Sequence, residues 1–377
     1  MAADPQLFSE RLYATVATPE RPLHLESGKR LDSARLCYET FGTLNPARDN
    51  AILVCHALTG DSHVAGRYHP ADRKPGWWDG AVGPGKALDT ERYFIICSNV
   101  LGGCQGSTGP EHINPATARP YGLDFPIVTV KDMVQAQARL LDLLEIDQLL
   151  AVVGGSLGGM QTLQWAVDYP ERMRGIIPIG AGGRFHPQGI ALNEVQRQAI
   201  MNDPLFRNGH YYGTPGPERG LATARMLGMI TYRSDASMWH QFGRRVQRPE
   251  AGPELDRGLG ITYQVESYLH HQGDLLVARF DANSYLYLSR AMDLMDLGRG
   301  AESYAAAHGA IRARVLAIGI SSDLLFPTYL QKETAALVTS AGGRAEYLEL
   351  ESPWGHDAFL VDFPLIEGPI RAFLQTL

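Results

Sequence analysis

The chain has 377 residues, 45% of them hydrophobic and 20% charged, with 40 Gly and 23 Pro. That length and balance exclude a disordered or fibrous protein and predict one large domain with an insertion, or two domains. Lys and Arg total 34 against 41 for Asp and Glu, a formal charge of −7, and no basic stretch offers the electrostatic footprint of a nucleic-acid binder. An acidic surface still admits an anionic substrate, which needs only a local cationic pocket.

Before Leu25 the chain is interrupted by Asp4, Pro5, Glu10 and Arg11, leaving no apolar stretch of signal-peptide character. No later run approaches the roughly 18 consecutive apolar residues of a membrane span. Four cysteines, Cys37, Cys55, Cys97 and Cys104, show no C-x-x-C spacing and read as buried thiols of a reducing compartment. The expectation is a soluble cytoplasmic protein that binds neither membrane nor nucleic acid.

Short apolar, β-rich runs bounded by Gly, Asn or Pro occur at 51–55, 93–97, 149–154 and 175–179, the pattern of buried parallel strands. Apolar residues at Val130, Val134, Ala138 and Leu141 predict an amphipathic helix over 130–146, with Thr129 and Asp132 as its capping box. A second helix is predicted from Ser156 to just before Pro170. Strand and helix in alternation indicate a parallel α/β sheet. From 184 to 300 the pattern becomes helical, with segments at 191–201, 218–230, 237–246, 262–278 and 283–296 separated by Gly- and Pro-rich breaks. Strand-like runs resume at 315–320 and 345–350, with a helix between them and a terminal helix over 358–377. The reading is a discontinuous core domain, 1–183 and 301–377, interrupted by a helical insertion at 184–300. The stretch from Gly80 to Ala87 nearly spells a P-loop, but Ala87 lacks the hydroxyl that would hold Mg²⁺ and no buried strand precedes it; it reads as a surface loop.

The chemistry concentrates at Gly154-Gly155-Ser156-Leu157-Gly158, a G-x-S-x-G placed directly after a buried strand and directly before a helix. Glycines two before and two after the serine remove the Cβ atoms that would collide in so tight a turn. The Leu157 N–H at the helix start is an oxyanion donor. A serine hydroxyl needs a base to take its proton, and the base needs an orienting acid. Asp323 follows the predicted strand 315–320, at the carboxyl end where parallel-sheet sites form. His356 lies in the loop after 345–350. Asp357 and Asp362 compete for the acid's role but lie too near His356 to be the separate-strand acid. The order Ser, Asp, His is that of α/β-hydrolases. The second oxyanion donor comes from the loop after 51–55, at Leu58 or Thr59. His56 and His63, with Asp61 between them, match no zinc spacing, and no metal is expected.

These residues carry a resemblance over nearly the whole chain. The segments His56-Ala57-Leu58-Thr59-Gly60-Asp61-Ser62-His63, Asn99-Val100-Leu101-Gly102-Gly103-Cys104-Gln105-Gly106, Gly154-Gly155-Ser156-Leu157-Gly158-Gly159-Met160-Gln161 and Gly355-His356-Asp357-Ala358-Phe359-Leu360 are similar to those of homoserine O-acetyltransferases of the α/β-hydrolase fold. The resemblance implies acyl transfer from acetyl-CoA to the hydroxyl of L-homoserine, a step toward methionine, with no permanently bound cofactor. It also implies that the helical insertion is a lid forming a homodimer. Family substrate contacts carry over to Arg225 for the amino-acid carboxylate, Asp357 for its ammonium, and Tyr232 beside them. Succinyl-specific relatives carry an arginine two residues past the catalytic Asp, where this chain has Leu325, which favours acetyl. A succinyl donor, a serine acceptor and a plain serine hydrolase are the alternatives.

Overall fold

The computed structural model describes residues 7–377, so Asp4 and Pro5 lie outside the described residues. Its organising element is an eight-stranded sheet in the order β1-β2-β4-β3-β5-β6-β7-β8. The strands are β1 (Leu12–Ala17), β2 (Ala34–Phe41), β3 (Ala51–Cys55), β4 (Phe94–Ser98), β5 (Leu149–Gly155), β6 (Met173–Ile179), β7 (Arg314–Ile320) and β8 (Ala345–Leu350). From β4 to β8 every neighbouring pair is parallel. Strands β1 and β2 add an antiparallel edge that the apolar runs do not announce.

Alternate side chains of the inner strands leave for opposite faces. Leu53 and Cys55 join one apolar core with Met133, Leu163 and Leu330. Ile52 and Val54 join the other, with Trp78, Ile366 and Ile370. One face is therefore covered by α1 (Val130–Leu143), α2 (Leu157–Asp168) and α9 (Tyr329–Ser340), the other by α11 (Phe363–Leu374) and the segment around Trp78. The capping box forms as predicted: Thr129 Oγ1 accepts from Asp132 N, and Asp132 Oδ2 accepts from Thr129 N at 2.8 Å.

Between β6 and β7 the chain forms α3 (Pro187–Met201), α4 (Glu218–Tyr232), α5 (Asp235–Phe242), α6 (Gln264–Val277), α7 (Ala282–Asp293) and α8 (Tyr304–Gly309). The two ends of this excursion are stitched together, since Phe185 N donates to Met295 O at 3.1 Å and Leu297 N to Gly183 O at 2.8 Å. A buried ion pair, Arg197 Nη2 to Asp293 Oδ2 at 2.7 Å, joins α3 to α7.

Several expectations need correction. Helix α5 stops at Phe242, four residues short of 246, because Gly243 turns out of the helix with φ 52°. The terminal helix is broken into α10 (Ala358–Val361) and α11, since Asp362 leaves the helical region at φ −104°, ψ 55° and Pro364, which has no N–H to donate back into α10, sits in the first turn of a new helix where none is needed. The stretch from Gly80 to Ala87 is no surface loop: Ala81, Val82 and Ala87 are buried in the core, and Lys86 Nζ bonds the Asp79 carboxylate at 3.3 Å. Cysteines 37, 55 and 97 are buried and free, whereas Cys104 is only partly covered. Among the described residues no helix is long and apolar enough to cross a membrane.

Candidate active site

Strand β5 ends at Gly155 and α2 begins at Leu157, so a single residue makes the turn. Ser156 does so at φ 59°, ψ −125°, a region costly for a side-chain-bearing residue and held only by its surroundings. Those surroundings are tight. A Cβ on Gly158 would meet Cys55 O at 2.0 Å, and one on Gly154 would meet Gly158 backbone at 2.5 Å. The two glycines let strand and helix close on each other, and Ser156 N is fixed to Ile179 O at 2.9 Å.

Asp323 sits just past β7 in a turn of its own making, its Oδ1 accepting from Leu325 N and Phe326 N, each at 2.8 Å. Its other oxygen accepts from His356 Nδ1 at 2.6 Å. Asp362 instead accepts from Ser352 Oγ at 2.8 Å, and Asp357 faces the cavity, so Asp323 is the carboxylate on the imidazole. The loops carrying acid and base are tied at a second point, Gly355 N to Ser322 Oγ at 2.9 Å. Phe326 stacks on the His356 ring at 5.2 Å and Phe359 meets it edge-on at 5.6 Å, holding its orientation, while the Asp323 carboxylate keeps a proton on Nδ1. Burial opposes charge on His356, but the Asp323 carboxylate and its hydrogen bond outweigh it and raise the imidazole above its ordinary value. His356 Nε2 is buried and makes no hydrogen bond among the described residues. Ser156 shares its cavity without yet donating to it; such bonds tighten only as the reaction proceeds.

That cavity, of about 170 Å³, is lined by the backbone turn Ala57, Leu58, Thr59 and Gly60, by Ser156, His356 and Asp357, and by Arg225 and Tyr232 from α4. Leu157 has its side chain in the core, so only its backbone N–H, one residue from Ser156, is placed for the site. Desolvation raises the Asp357 carboxyl above its ordinary value, against the pull of His356, Arg225 and Arg233. Neither Arg225 nor Asp357 is ion-paired to a neighbour among the described residues; the Arg225 guanidinium lies 5.6 Å from the Tyr232 ring. The cavity lining thus carries a cation and a carboxyl that form no ion pair with each other. Burial pushes the Tyr232 hydroxyl up, which keeps it a neutral donor.

Trp77 and Arg279 also line the cavity, and sequence reading passed over both. Arg279 Nη1 donates to Thr59 O at 2.7 Å, yet it follows α6 with no local signal, since only the tertiary path of that helix brings it here. Leu325 is buried and outside the lining, its carbonyl accepting from His186 Nε2 at 2.7 Å. His63 Nδ1 donates to Glu39 Oε2 at 3.0 Å, and among the described residues no three His, Cys, Asp or Glu gather as a metal site.

The α/β-hydrolase fold family model matches residues 50–363. The chain is 76% identical to a homoserine O-acetyltransferase from Symbiobacterium thermophilum, over 99% of this chain and 97% of that one. It is 53% identical to another from Moorella thermoacetica, over 94% of each. Among solved structures, a homoserine O-acetyltransferase from Bacillus anthracis superposes with TM-score 0.90 at 31% identity over 98% of each chain. An esterase superposes with TM-score 0.88 at 30% identity, over 97% of this chain and 100% of that one. With these relatives matched along nearly the whole chain, and a serine elbow and an acid–imidazole pair carried on this sheet, the chain belongs to the homoserine O-acetyltransferase family of the α/β-hydrolase fold.

Proposed function

We propose that the protein transfers an acetyl group from acetyl-CoA to the side-chain hydroxyl of L-homoserine, in two half-reactions on Ser156. The observation that carries this reading is the shared cavity: Ser156, the His356 imidazole held at 2.6 Å by Asp323, and the unmatched pair Arg225 and Asp357 all face it. His356 takes the Ser156 proton, Oγ attacks the thioester carbonyl, and the oxyanion rests on the N–H groups of Leu157 and of Leu58 or Thr59. The C–S bond breaks, coenzyme A leaves with the proton, and acetyl-Ser156 remains. Homoserine then binds with its carboxylate at Arg225, its ammonium at Asp357 and Tyr232 alongside. His356 deprotonates its hydroxyl, which takes the acetyl group and regenerates Ser156. No permanently bound cofactor enters the scheme.

The lid role assigned to 184–300 rests on the stitched neck and on Arg225 and Tyr232, which α4 contributes to the cavity. A homodimer through this insertion is supported by its exposed apolar residues Trp239, Leu255, Leu259 and Ile261. A cytoplasmic location is supported by four free thiols.

Mixing the protein with acetyl-CoA alone should release one equivalent of coenzyme A per site and leave an acetyl group on the Ser156 peptide by mass spectrometry. Ser156→Ala should show neither; an absence of both release and adduct in the wild type until homoserine is added would mean direct transfer. The near-complete superposition on an esterase supports a second reading, ester hydrolysis. The two separate on coenzyme A release with and without homoserine: a transferase stops after one turnover until the acceptor is added, whereas a hydrolase continues.

A further inference from the structure

The motif from His56 to His63 is absorbed by the acyl-transfer scheme only at its oxyanion donors, and the histidine that opens it has no role there. His56 is 1% exposed. Its Nδ1 lies 2.8 Å from Ala57 O and its Nε2 lies 3.0 Å from Val100 N. A carbonyl only accepts and a peptide N–H only donates, so both partners dictate the same tautomer: proton on Nδ1, lone pair on Nε2. Burial pushes this imidazole's pKa down, against the bond to Ala57 and the charge of Asp61, in keeping with a neutral ring.

The consequence runs through peptide geometry. Ala57 C=O and Leu58 N–H belong to one planar trans unit and point in opposite directions. Ala57 O accepts from both the His56 ring and Gly60 N, the latter at 2.9 Å. Two bonds on that oxygen fix the plane and so aim the Leu58 N–H the other way. Leu58 lines the cavity that holds Ser156, and its N–H donates to no other protein group among the described residues. A Cβ on Gly60 would sit 2.9 Å from His56 Cβ, so the glycine allows the ring and the turn to close. Gln161 Nε2 contacts both His56 O at 3.3 Å and Leu157 O at 3.2 Å, so one buried amide references both donor-bearing segments to each other.

We infer that His56 is a positioning residue for the oxyanion, its ring clamping the Ala57–Leu58 peptide so that the Leu58 N–H, rather than that of Thr59, is the second donor to the tetrahedral intermediate. The inference rests on the acyl-transfer reading above.

The test is a pre-steady-state burst of coenzyme A on mixing with acetyl-CoA in the absence of homoserine. His56→Leu removes both ring bonds, and His56→Asn keeps an amide donor where Nδ1 stood. With the oxyanion donor misaimed, His56→Leu should lower the burst rate about 100-fold, with burst amplitude and the KM for acetyl-CoA near wild type. His56→Asn should recover to within about tenfold of wild type. A merely structural role would lower amplitude and melting temperature together and leave the rate per active site unchanged. An unaltered burst rate in His56→Leu, or amplitude loss in place of rate loss, overturns the inference. Nitrogen-15 spectra of the ring-labelled wild-type protein test it without a variant. Beside His356 and His308, whose Nδ1 atoms also face acceptors, they should show a further histidine protonated at Nδ1 and bare at Nε2, assigned to His56 by its disappearance in His56→Asn; a proton on Nε2 of that residue overturns the clamp. Absence of any burst from wild type would instead sink the acyl-enzyme reading, while the spectra would still decide the tautomer.

Discussion

Ser156 is built into a conformation that its own side chain disfavours, and His356 is held by a carboxylate that raises its pKa above the ordinary value of 6.5. The second fact fixes a sign. The imidazole accepts the serine proton only when neutral, so the acylation rate should climb with pH through an apparent pKa above 6.5. Asp323→Asn removes the charge that raises it, and the acid limb should move to lower pH while the plateau falls about 10⁴-fold. Stopped-flow acylation across pH checks both; an unmoved limb would show that another group sets it. Ser156 and Asp323 are legible in sequence because each follows the carboxyl end of an apolar strand run, and His356 because it lies in the loop after the last strand-like run, a context that carries geometry with it. Arg279 and Trp77 are not, because neither position is implied by its neighbours in the chain.

Backbone also meets backbone closely where α4 ends. Gly355, at φ 71°, precedes the catalytic histidine, and a Cβ there would sit 2.7 Å from Ser234 N and 2.8 Å from Tyr232 O. All of these are backbone atoms, which cannot rotate away. Gly355→Ala should destabilise the fold by about 1–3 kcal/mol, read as a lower melting temperature. Pushing apart α4 and the histidine loop also separates Arg225 from Asp357, so the KM for homoserine should rise about tenfold or more, ahead of that for acetyl-CoA. At this scale the inner strands and the helices of the insertion were legible from apolar runs and from helical spacing. The edge strands β1 and β2 were missed because β1 alternates part-buried with exposed residues and β2 interrupts its buried positions with exposed or part-buried ones; a search for continuous apolar runs does not see that pattern. The break at Asp362 was lost because apolar residues continue across it, and only Pro364 records it.

At the scale of the whole molecule, the helices between β6 and β7 share one apolar core with the sheet, Leu276 and Tyr285 with Leu53 and Leu163, and are pinned among themselves by Arg197 and Asp293, whose side chains are 9% and 2% exposed. Breaking a buried pair from one side leaves a charge uncompensated. Glu194 also pairs with Arg197, at 2.9 Å, and softens the loss, so Asp293→Ala should cost about 3 kcal/mol in a urea titration. The helical segments should melt before or with the sheet, never after it. The neck also orders events in time. The chain carries Ser156 before the excursion and both Asp323 and His356 after it, so a ribosome has translated all the intervening helices before His356 can reach the serine. A nascent or truncated product therefore carries the elbow, with its backbone strain, but no base to activate it. The three side chains can therefore meet only once the polypeptide has turned back on itself.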